Sequence, residues 1–542
     1  MSLKTWLGGD MHPVVKKAAQ DTIDGKVTRR EFLATATALG VTGAAAMSMV
    51  GMKPAMAGSH GKMGGELRVS MLIKPVVDPR LFDWSEMGNV ARHFCEPLVR
   101  WNTEFVFEPR LLAGWEANDD ASVYTLKLRD NAMWNNGDKC TAEHIAWNIA
   151  RWTEGDVEGN SMAARVASLN KDGIEIVDDS TIRLNLSSPD ITIIPGMSDY
   201  PALIVHPDFG GDLSANPIGT GPFRLTEFEV EVGARLEKRD PSEWHGTESW
   251  GEVLLDAIQY TDYGNDPAPE IAAFEAGEID MNYQTNADQV ELLDGLGLTK
   301  SSKSTGATII ARGHQEEGSI MANKNFRKAL ALCVSNADML EVGHNAIGST
   351  AENHHVGPMH EEYVDLGEKP VRNIEAAKAL LEQEGLAGAE FTYSYLAGGD
   401  FRQSTSEAMI SQMREAGLNV NADGRPSSDF WSNWLNYPFS TTNWNGRPLG
   451  VQIYGLAYRG GVKWNEAKYS NPEFDALLDK ANSLADPAAR SEVMGQLEKI
   501  LQDDAVIIQP YWRGINSHTT DAVHGYDMHQ GFEHHFEAVS VS

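Results

Sequence analysis

The chain has 542 residues and a formal net charge of -32, because 77 Asp and Glu residues outnumber 45 Lys and Arg residues. A surface this acidic repels phosphate backbones and anionic lipid head groups, so nucleic acid is excluded as an expected partner. The length exceeds the range of about 250–300 residues at which one hydrophobic core stops growing, so two or three domains are expected.

The first 57 residues have the pattern of an export signal. The pair Arg29-Arg30 precedes an uncharged, alanine-rich run from Ala34 to Met52 and the small-residue site Ala55-Met56-Ala57. These are the parts of a secretory signal, and paired arginines indicate the twin-arginine (Tat) route. The alternative is a membrane anchor, although so many Ala, Gly, Thr and Ser residues would make a weak spanning helix. We expect removal before Gly58 and a periplasmic protein that does not insert into the membrane.

Three cysteines, Cys95, Cys140 and Cys333, lie far apart in the chain. An odd number without a CxxC pair argues against a disulfide scaffold. We interpret them as buried small apolar residues and leave one disulfide open.

Strand and helix periodicities alternate along the chain. Apolar residues at every second position predict strands at about 123–128 and 182–186. Thr141 is the predicted N-cap of a helix between them, and Asn373 that of a later helix.

A βαβ unit follows. Residues 391–396 read as a strand, 404–416 as a helix and 418–421 as a second strand, which is the order of a parallel crossover. Asn471 and Asp486, each followed by proline, open two further predicted helices. The predicted fold class is α/β.

Motifs for catalysis or metal binding are missing from the sequence. The segment 219–222, GTGP, lacks the Lys and Ser or Thr of a phosphate-binding loop, and its proline removes an amide donor. The pairs His354-His355 and His534-His535 have no spaced third ligand, and adjacent side chains point in different directions. We therefore expect no catalytic residue, no metal site and no cofactor.

Tryptophan is abundant, with fourteen residues, and three of them lie close together in sequence. The spacing of Trp431 and Trp434 is that of one helical face packed into a core. Trp444 lies outside that spacing, in a polar segment, and is the better candidate for lining a cleft.

The segment from Thr441 to Gly450, TTNWNGRPLG, places Arg447 in a Gly-Arg-Pro turn beside the amides of Asn443 and Asn445. A guanidinium can bind a carboxylate through two parallel hydrogen bonds. A solvated loop arginine is the alternative.

Seven segments match, in order, the motifs of one known protein family. They are GGELRV from Gly64, CEPLVR from Cys95, the long signature from Leu111 to Arg151, PIGTGPF from Pro217, FEAGEID from Phe274, YSNPEFD from Tyr469 and IQPY from Ile508. On these motifs the chain resembles the family 5 extracytoplasmic solute-binding proteins. That family includes the periplasmic dipeptide- and oligopeptide-binding components of ABC importers.

The resemblance implies a bilobed periplasmic-binding-protein clamshell, type II-like, with a third domain. Transferring the family layout puts lobe I on 58–101, 218–313 and 508–542, the extra domain on 102–217 and lobe II on 314–507. It also implies transport of the peptide, opine and nickel class, and a partner, an inner-membrane permease with cytoplasmic ATPases.

The resemblance further implies where the ligand lies. In peptide-binding members, a Trp-x-x-Asp motif in lobe II pairs its aspartate with the peptide's α-amino group. Here the motif reads Trp444-Asn445-Gly446-Arg447, and a buried ammonium facing Arg447 would be repelled. We therefore expect a small carboxylated solute: an amino-acid derivative, an opine-like compound or a peptide in another orientation. Trp84 and Tyr454 are further predicted ligand contacts.

Two alternatives stay open. Arg447 could instead pair with an acid of the protein and never touch a ligand. The chain could also be an exported hydrolase that uses the inter-lobe cleft, with two carboxylates converging across the pocket.

Overall fold

The computed structural model describes residues 4–52, 61–360, 362–367 and 369–542. The α-helices of these residues are α1 (Pro13–Ile23), α2 (Arg29–Ala38), α3 (Gly43–Met49), α4 (Ser85–Ala91), α5 (Ala142–Trp152), α6 (Ile193–Gly196), α7 (Thr247–Trp250), α8 (Pro267–Ala276), α9 (Val290–Gly295), α10 (Lys324–Cys333), α11 (Asn336–His344), α12 (Ile374–Gln383), α13 (Phe401–Glu415), α14 (Ser427–Asn433), α15 (Gly450–Ala457), α16 (Pro472–Asn482) and α17 (Pro487–Asp503).

The strands of the same residues are β1 (Glu66–Ser70), β2 (Val99–Trp101), β3 (Phe107–Pro109), β4 (Leu112–Ala117), β5 (Val123–Leu128), β6 (Ile174–Asp178), β7 (Thr181–Asn185), β8 (Phe223–Glu229), β9 (Gly233–Lys238), β10 (Ala257–Thr261), β11 (Met281–Asn282), β12 (Thr299–Gly313), β13 (Gly348–Thr350), β14 (Glu390–Leu396), β15 (Asn419–Arg425), β16 (Phe439–Trp444), β17 (Tyr511–Thr519), β18 (Val523–His524) and β19 (Ser540–Val541). With the helices they form a mixed α/β fold, which confirms the predicted class.

One large mixed sheet runs through the molecule in the order β15-β14-β16-β12-β17-β11-β1-β10-β9-β8. Its two central strands, β12 and β17, are antiparallel. Residues 299–304 of β12 pair with residues 514–519 of β17. The pairing shifts between Ser304 and Thr308, and from Thr308 onward β12 also pairs with β16. These two long strands therefore join the β1 side of the sheet to the β14 side.

A separate four-stranded sheet, β4-β5-β7-β6, lies within residues 102–217. The alternation predicted for β5 is present, since Tyr124, Leu126 and Leu128 are buried. Helix α5 begins after Thr141, whose side chain accepts a hydrogen bond from the His144 amide, as a helix N-cap does.

The predicted βαβ unit is confirmed. Strands β14 and β15 pair parallel in the register Glu390 to Asn419, and α13 connects them. The predicted caps Asn373, Asn471 and Asp486 each accept a hydrogen bond from the first turn of α12, α16 and α17. Local polar residues thus set where these helices begin.

The largest hydrophobic core joins residues of the 102–217 region to α15, α16 and α17. A second core packs around β1 and β10, and a third around β14 and α13. The transferred domain boundaries stay a prediction.

Residues 4–52, the described part of the predicted export signal, form α1, α2 and α3 and pack on the rest of the chain. Trp115 donates its indole N–H to the Ala38 carbonyl at 2.9 Å, and the Phe107 amide donates to Thr37 Oγ1 at 3.0 Å. Arg29 and Arg30 are exposed. The expected cleavage site at residues 55–57 lies outside the described residues.

Cys95, Cys140 and Cys333 are buried and free, which confirms their interpretation as small core residues. Burial raises the pKa of the Cys333 thiol to about 12. Among the described residues, no helix is both long and apolar enough to cross a membrane.

Candidate ligand-binding site

A cavity of about 660 Å³ lies between the half of the large sheet that contains β1 and the half that contains β14. Its walls come from the segment after β1, the start of α8, the loop between β14 and α13, the start of α14 and the end of β16. Tyr200 contributes from the 102–217 region, and Arg513 from β17. The central strand β17 therefore contributes directly to the cavity wall.

Three consecutive residues on one wall each contact the opposite side, and we call these pairs the closure contacts. Asp83 Oδ1 lies 3.0 Å from Lys463 Nζ. The ring centroids of Trp84 and Trp431 are 4.4 Å apart, edge to face. The amide of Asn445 donates to Ser85 Oγ at 3.1 Å. The cavity is therefore bridged from wall to wall.

Trp444 lines the cavity, and two neighbouring side chains fix the position of its indole. It is the last residue of β16, so it ends a strand and does not lie in the polar loop that the sequence indicated. Its indole N–H donates to Glu466 Oε1 at 2.6 Å, and its ring meets Trp464 edge to face at 5.7 Å. Because the indole is fixed, it offers a rigid apolar surface to the cavity.

Asn443 and Asn445 also line the cavity. The Arg402 guanidinium lies 3.5 Å from Asn443 Oδ1. Asn445 takes part in the closure contacts through Ser85. These two amides stay predicted ligand contacts.

Arg447 lines the cavity but is also paired with an acid of the protein. Its Nε lies 3.0 Å from Asp199 Oδ2, and Asp199 also binds Arg165 at 2.6 Å. Burial works to raise the pKa of Asp199, but the two arginines outweigh it and the pKa is lowered. The structure thus contains the ion pair stated as the alternative, while ligand contact by Arg447 stays a prediction.

Tyr454 was predicted wrongly as a cleft residue. It lies in α15, is fully buried in the largest core, and donates its hydroxyl to the His354 carbonyl at 2.8 Å. It is not among the residues that line the cavity. Sequence proximity to a ligand-facing segment does not tell which face of a helix turns toward the ligand.

Other cavity residues could not be predicted from the sequence. Trp431 and Trp434 line the cavity, although their spacing favoured core packing. Arg402 binds the Asp400 carboxylate through Nε at 2.8 Å, and Arg513 lies close to this pair. Asp400 and Arg402 lie at the start of α13, which begins three residues before the helix predicted at 404–416. Nothing in their spacing showed that this end of the helix faces a cleft.

Three acids of the cavity wall are engaged with other side chains. Asp83 is paired with Lys463 and Asp400 with Arg402. Glu270 accepts a hydrogen bond from Asn282 at 3.0 Å, and burial raises its pKa.

Three possible metal ligands come together outside this cavity, in His529, Glu533 and His535. The His529 Nδ1 accepts a hydrogen bond from the Gly531 amide, and its Nε2 lies 3.1 Å from the Trp101 carbonyl oxygen. The Arg92 guanidinium lies 2.7 Å from Glu533. With a cation already on the carboxylate and both nitrogens of one imidazole engaged, the group forms a hydrogen-bonded cluster around one ion pair.

A family model described as bacterial extracellular solute-binding proteins, family 5 Middle, matches residues 106–488. The chain belongs to this family. The resemblance carried by the seven sequence motifs is therefore confirmed, and the main function predicted from it is that of the family.

Similar proteins extend the match over most of this family 5 protein. The dipeptide-binding protein DppE of Bacillus subtilis is 23% identical over 507 residues, which cover 84% of this chain and 89% of DppE. The structure of AgaA from A. tumefaciens R10 with agropinic acid has a TM-score of 0.79 and 20% identity, covering 88% of this chain and 99% of AgaA. The structure of AppA from Bacillus subtilis with a nonapeptide has a TM-score of 0.78 and 17% identity, covering 89% and 100%. The family 5 protein therefore has the fold of a periplasmic binding protein.

Proposed function

We propose that this protein captures a small solute in its cavity and delivers it to an inner-membrane ABC permease driven by cytoplasmic ATPases. The expected solute is a peptide or a carboxylated amino-acid derivative. Two similar proteins support this class, since DppE is named for dipeptides and AgaA was solved with agropinic acid. Trp444 and Trp84 would supply apolar contact, and Asn443, Asn445 and Arg447 polar contact.

The observation that carries this function is the bridged cavity. Closure contacts at Asp83, Trp84 and Ser85 join its walls, and the enclosed space has the size of a small-molecule site. A binding protein closes because ligand binds the closed state more tightly than the open one. Capture and release then need no chemical step.

Export by the twin-arginine route and removal of residues 1–57 belong to the same proposal. The exposed pair Arg29-Arg30 at the start of α2 supports it, because an export receptor must reach these side chains. The proposed domains are lobe I (58–101, 218–313 and 508–542), the extra domain (102–217) and lobe II (314–507).

The test starts from protein purified from the periplasm without unfolding. We expect a small molecule to co-purify and to be identified by mass spectrometry. After its removal, re-addition should change the fluorescence of the tryptophans at the cavity. Recovery of unchanged solute from the complex supports binding, whereas turnover of the solute would establish the exported hydrolase instead.

A further inference from the structure

We propose that Arg513 is the receptor for a carboxylate of the bound solute. This inference rests on the proposed function, because it names the ligand group that the cavity recognises. Arg513 lies in β17, one of the two strands that join the sides of the sheet, and its side chain lines the cavity.

Arg513 is buried, and two of its three guanidinium nitrogens lack a hydrogen bond. It is 2% exposed, and its Nε and Nη2 atoms are buried without a hydrogen bond. Among the residues that the structure describes, no carboxylate lies within 4.0 Å of its guanidinium. Burial lowers the pKa of Arg513 to about 10, so the group is still a cation at neutral pH. A buried charge without a partner is unfavourable and is normally found only where something else supplies the counter-charge.

The other two arginines of the cavity each have a carboxylate partner. Arg402 binds Asp400, and Arg447 lies against Asp199. Asp400 also attracts Arg513, but it is already paired with Arg402, so these three groups together keep one positive charge.

The surroundings of Arg513 favour an anion. Its guanidinium carbon lies 3.9 Å from the centroid of the Phe401 ring, so the ring covers one face of the cation. Phe401 is the first residue of α13, a helix of 15 residues whose N-terminus carries a partial positive charge. The planar guanidinium matches a carboxylate, which it can bind through two parallel hydrogen bonds. A single arginine against aromatic rings fits one negative charge better than a phosphate dianion.

Arg327 offers a matched control. It is also buried, but it donates to the backbone carbonyls of Met321, Ala322, Asp504 and Ala505. It does not line the cavity. Arg327→Met therefore removes a satisfied buried arginine, whereas Arg513→Met removes an unsatisfied one.

The experiment compares wild type, Arg513→Met, Arg513→Lys and Arg327→Met. The probes are the co-purified solute, Ala-Ala, tri-alanine and N-(1-carboxyethyl)arginine, with inorganic phosphate as a competitor. The two peptides and N-(1-carboxyethyl)arginine are each compared with the analogue in which every carboxylate is converted to an amide. Affinity is measured by calorimetry, and the melting temperature is measured on ligand-free protein.

We expect wild type to prefer the acid over the amide, and Arg513→Met to bind the acid at least about ten-fold more weakly. Arg513→Lys should fall between them. Ligand-free Arg513→Met should melt at or above wild type, while Arg327→Met should melt lower and keep its affinity.

Three results would overturn the inference while leaving a solute-binding protein in place. They are equal binding of acid and amide by wild type, unchanged acid affinity in Arg513→Met, and displacement of the acid by millimolar phosphate with phosphate binding more tightly. If neither a co-purified solute nor any probe binds wild type, the proposed function itself fails, and this inference fails with it.

Discussion

At the scale of single residues, charge compensation separates the arginines of the cavity. Arg447, which the sequence marked, lies against Asp199 and over the Tyr200 ring, with its guanidinium carbon 5.7 Å from the ring centroid. Arg513, which the sequence did not mark, has no such acid. The sequence alone therefore does not distinguish an arginine that forms an ion pair within the protein from an arginine that is available to a ligand. Their partners differ only in three dimensions.

Arg447→Ala should lower the free energy of unfolding by about 1–3 kcal/mol. The loss is moderate because Asp199 keeps its ion pair with Arg165. Urea unfolding of ligand-free protein measures it. Arg183→Ala, which breaks the exposed pair with Glu175, should change stability by less than about 1 kcal/mol. Equal midpoints for Arg447→Ala and wild type would show that the buried pair contributes nothing.

At the scale of elements, a close backbone approach positions the turn after β16. A Cβ on Gly446 would lie 3.0 Å from Gly306 Cα, a backbone atom of the irregular part of β12. Glycine at this position lets the turn that carries Asn445 and Arg447 lie directly against the central strand. The wall of the cavity is therefore fixed to the strands that join the two sides.

Gly446→Ala should lower both the melting temperature and the affinity for the co-purified solute, because backbone must move to admit the methyl group. Gly455→Ala is the control, since nothing lies within 4 Å of its Cβ position in α15. In a helix interior that change should stabilise the protein by up to about 1 kcal/mol. A change in melting temperature of the same sign in both variants would contradict the role given to Gly446.

Helix α17 carries a buried acid, Glu498, which accepts a hydrogen bond from the Val364 amide at 3.2 Å. Burial raises the pKa of Glu498 to about 9, and the nearby Glu352 and Glu362 act in the same direction. Between about pH 4.5 and about pH 9, the Glu498 carboxyl therefore keeps its proton in the folded state and loses it in the unfolded chain. This group favours the folded state at low pH and loses that contribution as pH rises from about 4.5 to about 9.

Glu498→Gln should equal wild type in stability near pH 4.5 and exceed it increasingly toward pH 9. Melting temperatures across that range measure the difference. Glu492→Gln, an exposed position on the same helix, should show a parallel curve to wild type. If the Glu498→Gln curve were also parallel to wild type, the carboxyl would be ionised in the folded state.

At the scale of the whole molecule, β12 and β17 tie the two sides together while the closure contacts span the cavity between them. The closure contacts are an ion pair, an aromatic pair and one hydrogen bond, all from residues 83–85. Each is weak by itself, and a ligand that binds the closed state adds to them, so the balance between the open and closed states should respond to ligand.

Asp83→Asn should shift ligand-free protein toward the open state and weaken solute binding by up to about five-fold. The Asp83–Lys463 pair is partly exposed, and such pairs are worth up to about 1 kcal/mol. Small-angle X-ray scattering should show a larger radius of gyration. Asp479→Asn, which removes the exposed partner of Arg459, should leave the scattering curve unchanged. Identical curves for Asp83→Asn and wild type would mean that this pair does not hold the cavity shut.

The sequence by itself determined the local structure and the family. Helix caps such as Thr141 and Asn471, the alternation in β5 and the parallel βαβ unit were predictable because each depends on residues close in the chain. The burial of the cysteines followed from their number and spacing, and the family from motifs in fixed order.

Only the tertiary structure decided which side chains share the cavity and which charges are cancelled. Tyr454 was assigned to the cleft but packs into a core, while Trp431 and Arg513 come to the cavity from distant segments. Asp199 reaches Arg447 across 248 positions of sequence. Local patterns record the direction of the backbone and the apolar face of an element. The meeting of a cation with its acid depends on how β12 and β17 bring remote segments together, and no local pattern encodes that distance.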